Sequence, residues 1–109
     1  MKEFKQVPGL DPNDIVRIRK FKFGEQLELA KLVRKGKVTI DNITEAENFE
    51  DICFKMLEFG VASAPFYVAG VTKQECLFNL PSESAVFLLK QITEHNQTKD
   101  LKGLKKKSD

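Results

Sequence analysis

The strongest constraint on the fold of this chain is a run of apolar residues with the period of an α-helix. Phe49, Ile52, Cys53, Met56 and Gly60 recur at three- and four-residue intervals, so they share one face of a helix. A single amphipathic helix is marginal in water, and such a face therefore has to pack against another element. The pattern predicts a core helix with Cys53 buried.

The start of this helix carries its own signal. Thr44 and Glu47 have the spacing of a capping box, in which the threonine side chain and the glutamate satisfy each other's backbone N–H groups. Acidic residues crowd the first turns, where the helix dipole favours negative charge. We interpret these acids as structural and not as catalytic or metal-binding: Glu45, Glu47, Glu50 and Asp51.

Three other segments have helical patterns, and one has the pattern of a strand. Residues 25–35, "EQLELAKLVRK", end at Gly36, a typical C-terminal stop, and residues 79–96 predict a long final helix. Between them, Thr72 and Glu75 predict a second capping box and a short helix. Residues 15–23, "IVRIRKFKF", predict a bulged strand with a basic outer face formed by Arg17, Arg19, Lys20 and Lys22.

The 109 residues are enough for one domain with one core, and their 41% hydrophobic content is that of a folded protein. We predict an irregular lead-in over 1–14, a single helical domain over 15–96 and a disordered basic tail over 97–109. The predicted fold class is mostly α. It is a small bundle of three or four helices with an N-terminal strand or hairpin segment and a flexible C-terminal tail.

The stretch "EFGVASAPFYVAG", residues 58–70, interrupts the helical pattern with two glycines and a proline. Ala64 precedes Pro65 and is therefore biased away from helical geometry, so a turn is expected there. The aromatic residues that follow either cap the end of the helical core or form a surface for a partner. Our preferred interpretation is that the segment closes the core and leaves Phe66 or Tyr67 available to a partner.

The sequence contains none of the patterns that are typical of common enzyme chemistry. It has no phosphate-binding glycine loop, no metalloprotease motif and no C-x-x-C pair, and its one histidine, His95, lies in the predicted last helical turn. Cys53 and Cys76 are expected to be reduced thiols. We therefore predict a protein that is not an enzyme and uses no cofactor or metal. No membrane segment or signal peptide is apparent, so a cytoplasmic location is expected.

Nucleic-acid binding is the alternative class. Residues 97–109 hold five lysines against two aspartates, a net charge of +3, so residues 1–96 carry −1 of the total +2. Nucleic-acid-binding domains usually concentrate basic residues on a folded face, and this body is nearly neutral. The alternative would use the basic segment 17–22 and the lysine-rich tail.

The order of these signals resembles the tail assembly chaperones of long-tailed bacteriophages and related proviruses. The resemblance spans roughly residues 20–96 and is carried by "KFKFGE", by "GVASAPF" after the second helix, and by "NLPSESAVFLLKQITEHN" as the terminal helix. It implies a small, mostly helical, non-enzymatic protein that coats the tape-measure protein during tail assembly. The resemblance also allows contact with the major tail protein and self-association.

A coating chaperone needs apolar surface that its client later vacates. The aromatic residues that lie off the predicted helical faces, or in the interrupted stretch, are therefore candidates for gripping the tape-measure protein. These candidates are Phe54, Phe59, Phe66, Tyr67 and Phe87.

Overall fold

The computed structural model describes residues 1–37 and 45–96. In chain order the elements are β1 (Lys2–Phe4), β2 (Val16–Ile18), α1 (Phe23–Lys35), α2 (Phe49–Gly60), β3 (Val61–Ser63), α3 (Lys73–Phe78) and α4 (Ser82–Asn96). The strands form one antiparallel sheet in the order β1-β2-β3. Helix α2 packs against each of the other three helices.

The predicted fold class, a helical bundle with an N-terminal strand or hairpin segment, is wrong. Helices supply about half of the described residues, but β2 is the central strand of a three-stranded sheet, and the fold is mixed α and β. Val16 and Ile18 of β2 are fully buried at the centre of the core. Strand β1 lies inside the segment 1–14 that was predicted to be irregular, and β3 begins directly after α2.

The core consists of two apolar clusters that meet at α2. One joins the sheet to α4, and its buried members include Val16, Ile18, Leu57, Leu88 and Ile92. The other joins α1 to α2 through Leu29, Val33, Ala46, Ile52 and Met56. Six of the ten residues named here lie at helical spacing on α1, α2 and α4: Leu29, Val33, Ile52, Met56, Leu88 and Ile92.

Polar contacts fix where α1 begins. The Glu25 carboxylate accepts the backbone N–H of Lys22 at 2.8 Å and two bonds from the Arg19 guanidinium, at 2.8 and 2.6 Å. This bidentate ion pair lowers the pKa of Glu25 and raises that of Arg19. The strand predicted over 15–23 covers only Val16–Ile18, and the helix starts two residues before the predicted position.

The predictions for the other helices have mixed outcomes. The cap of α3 is confirmed, because Thr72 Oγ1 accepts the Glu75 N–H at 3.2 Å. Helix α4 covers 82–96 within the predicted 79–96. Helix α2 begins at Phe49, after an N-terminal cap residue Asn48. The capping box predicted from Thr44 and Glu47 is therefore wrong for α2, and Glu45 and Glu47 precede the helix. Thr44 itself lies outside the described residues, as does the segment 97–109.

Candidate functional site

An open groove lies between α1, α2 and α3. Its volume is about 610 Å³, and its apolar lining is Leu32 of α1, Phe54 of α2 and Phe78 of α3. We call it the Phe78 groove. The Phe54 and Phe78 rings stack with their centroids 6.5 Å apart and their planes 10° from parallel. Phe78 is 76% exposed, so an aromatic ring is held in place with most of its surface in water.

The helices place these rings for simple reasons. Helix α2 buries Ile52, Met56 and Leu57, which leaves Phe54 on its flank, half-buried against the sheet core. Helix α3 buries Cys76 and Leu77. Phe78 follows Leu77 by about 100° of helical rotation, and it is therefore turned away from the core toward Phe54.

Charged groups flank the apolar lining of the Phe78 groove. Asp51, Lys55 and Glu58 line it from α2, and Glu75 lines it from α3. The Lys55 ammonium group lies 3.4 Å from the Glu58 carboxylate and 5.5 Å from the centroid of the Phe59 ring. The one cation of the lining is therefore directed toward an acid of the same helix, and the groove as a whole has a net charge of −2.

The five aromatic residues predicted to bind a partner do not form one surface. All are half-buried, and only Phe54 lines the Phe78 groove. The rings of Phe66 and Tyr67 meet edge to face with their centroids 4.9 Å apart, and both pack on the sheet core. Phe87 also packs on this core, and its ring centroid lies 5.7 Å from that of Phe4. Phe59 packs on the α1–α2 cluster. Their role in binding stays a prediction.

The sequence analysis missed Phe78, which is the most exposed aromatic residue of the described chain together with Phe23. The signal was present in the short helix "TKQECLFNL". Once Cys76 and Leu77 are assigned to the buried face, Phe78 has to point elsewhere. Cys53, which was predicted to be buried, is only half-buried, whereas Cys76 is buried.

A smaller apolar cavity of about 240 Å³ lies beside the interrupted stretch. Its lining includes Leu10, Phe66, Val68, Val71 and Leu80. Burial raises the pKa of the nearby Tyr67 to about 12, and negative charge on Cys76 and Glu58 adds to this effect. The Tyr67 hydroxyl has no hydrogen-bond partner among the described residues.

The raised pKa gives a direct test of this packing. Tyr67 is the only tyrosine, and the chain has no tryptophan, so phenolate absorbance reports on one side chain. We expect the native protein to titrate near pH 12 after a rapid pH jump, and the unfolded chain near pH 10. Since the unfolded state loses its proton first, stability should fall as the pH rises above about 10. Native titration near pH 10 would show that Tyr67 is not buried.

The basic segment 17–22 is partly neutralised by ion pairs. Arg17 lies 2.9 Å from Glu3, and Arg19 is paired with Glu25. Lys20 approaches His95, whose pKa is lowered first by burial and then by the positive charges of Lys20 and Lys2. Positive charges from β1 and from the segment after β2 therefore act on the last turn of α4.

Over the two described ranges, 1–37 and 45–96, no group of three His, Cys, Asp or Glu side chains is placed to hold a metal ion. In the same part of the chain, no helix has both the length and the apolar character needed to cross a membrane. Comparison with known proteins finds no matching family model, no matching curated protein and no matching solved structure.

Proposed function

We propose that this chain is a non-enzymatic tail assembly chaperone that binds an apolar segment of a tape-measure protein in the Phe78 groove. The observation that carries the proposal is the Phe78 ring, which is 76% exposed and stacked on Phe54 in an open groove. Large aromatic side chains on a protein surface are the typical anchors of binding interfaces. The resemblance of the sequence suggests the tape-measure protein as the client. The groove is the surface that we propose binds it.

Under this proposal the chain acts in the host cell cytoplasm, its client is a protein, and it needs no cofactor. The groove is open, and its lining combines apolar with charged side chains. Such a surface suits a helix or an extended segment of another protein that docks one or two large side chains. Reversible docking of this kind is what a chaperone requires, because its client must later leave.

The direct test is the substitution Phe78→Ala in the full chain. We expect binding of a tape-measure fragment, followed by calorimetry, to weaken about tenfold or more, because the substitution removes the exposed anchor. Phe23→Ala is the matched control: Phe23 is also a phenylalanine, is 75% exposed and does not line the groove. Both variants should keep wild-type stability within about 0.5 kcal/mol. Equal binding by both variants would contradict the proposal.

Nucleic-acid binding remains the second candidate, because the positive charges of Lys2 and Lys20 both act on His95. The two functions differ in their response to salt. A protein that makes six to ten phosphate contacts loses roughly 10³–10⁵ in affinity between 50 and 200 mM salt. Apolar docking changes far less. A steep loss of binding to an oligonucleotide, with no binding of the tape-measure fragment, would favour the second candidate.

A further inference from the structure

The lining of the Phe78 groove also indicates which kind of segment fits it. Asp51, Lys55 and Glu58 are spaced i, i+4 and i+7 on α2, so they lie along one face of the helix. The first and the last of them are acids about 10 Å apart along the helix axis, at 1.5 Å per residue. Glu75 adds a third carboxylate from α3, on the opposite wall.

The distribution of charge leaves the acids in excess. Lys55 is paired with Glu58 at 3.4 Å. Asp51 and Glu75 are exposed, and neither has an ion-pair partner within the described ranges. A bound segment that brought further carboxylates would be repelled, whereas one with ammonium or guanidinium groups on either side of its apolar anchor would be attracted.

From this charge complementarity we infer that the groove selects a cationic amphipathic segment of the client protein, with a large apolar side chain flanked by lysine or arginine. The two acids of the lining without an ion-pair partner in the part of the chain that the structure describes, Asp51 and Glu75, lie on different helices, so a cation on each side of the apolar anchor suits the groove. The inference rests on the proposed function, because it concerns the occupant of the same groove. It specifies the charge of the bound segment, which the exposed rings alone do not determine.

The test uses the full chain and two synthetic helical peptides of about 14 residues, four turns each. Both carry the same leucine and phenylalanine anchors. One has lysine at two positions seven apart around the anchors, and the other has glutamate there. We expect the lysine peptide to bind about tenfold more tightly at low salt, since two or three exposed charge contacts turn from favourable to unfavourable. The preference should shrink as salt is added.

Charge reversal of the groove gives the matched comparison. In the double variant D51K/E75K the preference should invert, and the glutamate peptide should bind more tightly. The control E83K/E94K makes the same change in net charge on α4, away from the groove, and it replaces one first-turn acid where D51K/E75K replaces two. It should keep the preference for the lysine peptide.

The outcomes separate this inference from the proposed function. If the two peptides bind equally and Phe78→Ala weakens both, the inference is wrong and apolar docking stands. If neither peptide binds although the tape-measure fragment does so through Phe78, the inference is also wrong. If Phe78→Ala changes no binding at all, the proposed function fails with it. A dimer that Phe78→Ala dissociates would identify a second copy as the occupant and overturn the inference.

Discussion

The substitution Ile92→Ala should lower the free energy of unfolding by about 2–5 kcal/mol, the range found when a large buried aliphatic side chain is truncated. Ile92 is 0% exposed and packs in the cluster that joins α4 to the sheet, together with Leu57, Val61 and Leu88. Those neighbours are held by three different elements and cannot all move in to fill the space. Urea denaturation followed by circular dichroism measures the change.

Val86→Ala provides the control on the same helix. Val86 is 67% exposed, so its truncation should change stability by no more than about 0.5 kcal/mol. For both variants the dependence of stability on urea should keep its slope, because the slope follows the total surface exposed on unfolding. A loss below about 1 kcal/mol for Ile92→Ala would mean that this part of the core is loosely packed.

The second large effect is expected at Gly60, the last residue of α2. A Cβ atom at this position would lie 2.7–2.9 Å from three side-chain carbons of Ile92. Contacts this short force side chains or backbone to shift, so Gly60→Ala should cost about 1–3 kcal/mol. A loss of stability would be informative in itself, because alanine in a helix is otherwise more stable than glycine by up to about 1 kcal/mol.

Gly24 in α1 is the matched control, since a Cβ there would meet no atom within 4 Å. Gly24→Ala should therefore leave stability unchanged or raise it. The double variant G60A/I92A isolates the contact. Once Ile92 is truncated, adding the methyl group at position 60 should cost little, giving a coupling energy of about 1 kcal/mol or more between the two sites. Simple additivity would show that the loss at Gly60 has another cause.

The parts of the fold that could be predicted from the sequence are those with local causes. Helices α1, α3 and α4 follow from apolar periodicity and terminal residues such as Gly36 and Thr72, and each was predicted close to its observed range. The sheet could not be predicted in the same way. Strands β1 and β3 have three residues each, and they exist because β2 offers them partners, not because their own sequences favour strands.

The same limit applies to the groove. The position of Phe54 off the buried face of α2 followed from helical spacing. Its stacking on Phe78 depends on how α3 packs against α2, and no local pattern in either helix encodes that contact. Asp51 was interpreted as a helix-start acid, and it does lie in the first turn of α2. Its place in the lining of an apolar groove depends on how three helices pack together, which no local pattern encodes.

The order of strands in the sheet has a consequence for how the chain can fold as it is made. Strand β2 is flanked by β1, which is synthesised before it, and by β3, which follows about 40 residues later. A two-stranded hairpin alone is marginally stable. Folding on the ribosome therefore has to wait until residues 61–63 have left the exit tunnel. Until then Val16 and Ile18 stay accessible to cellular chaperones and to other nascent chains.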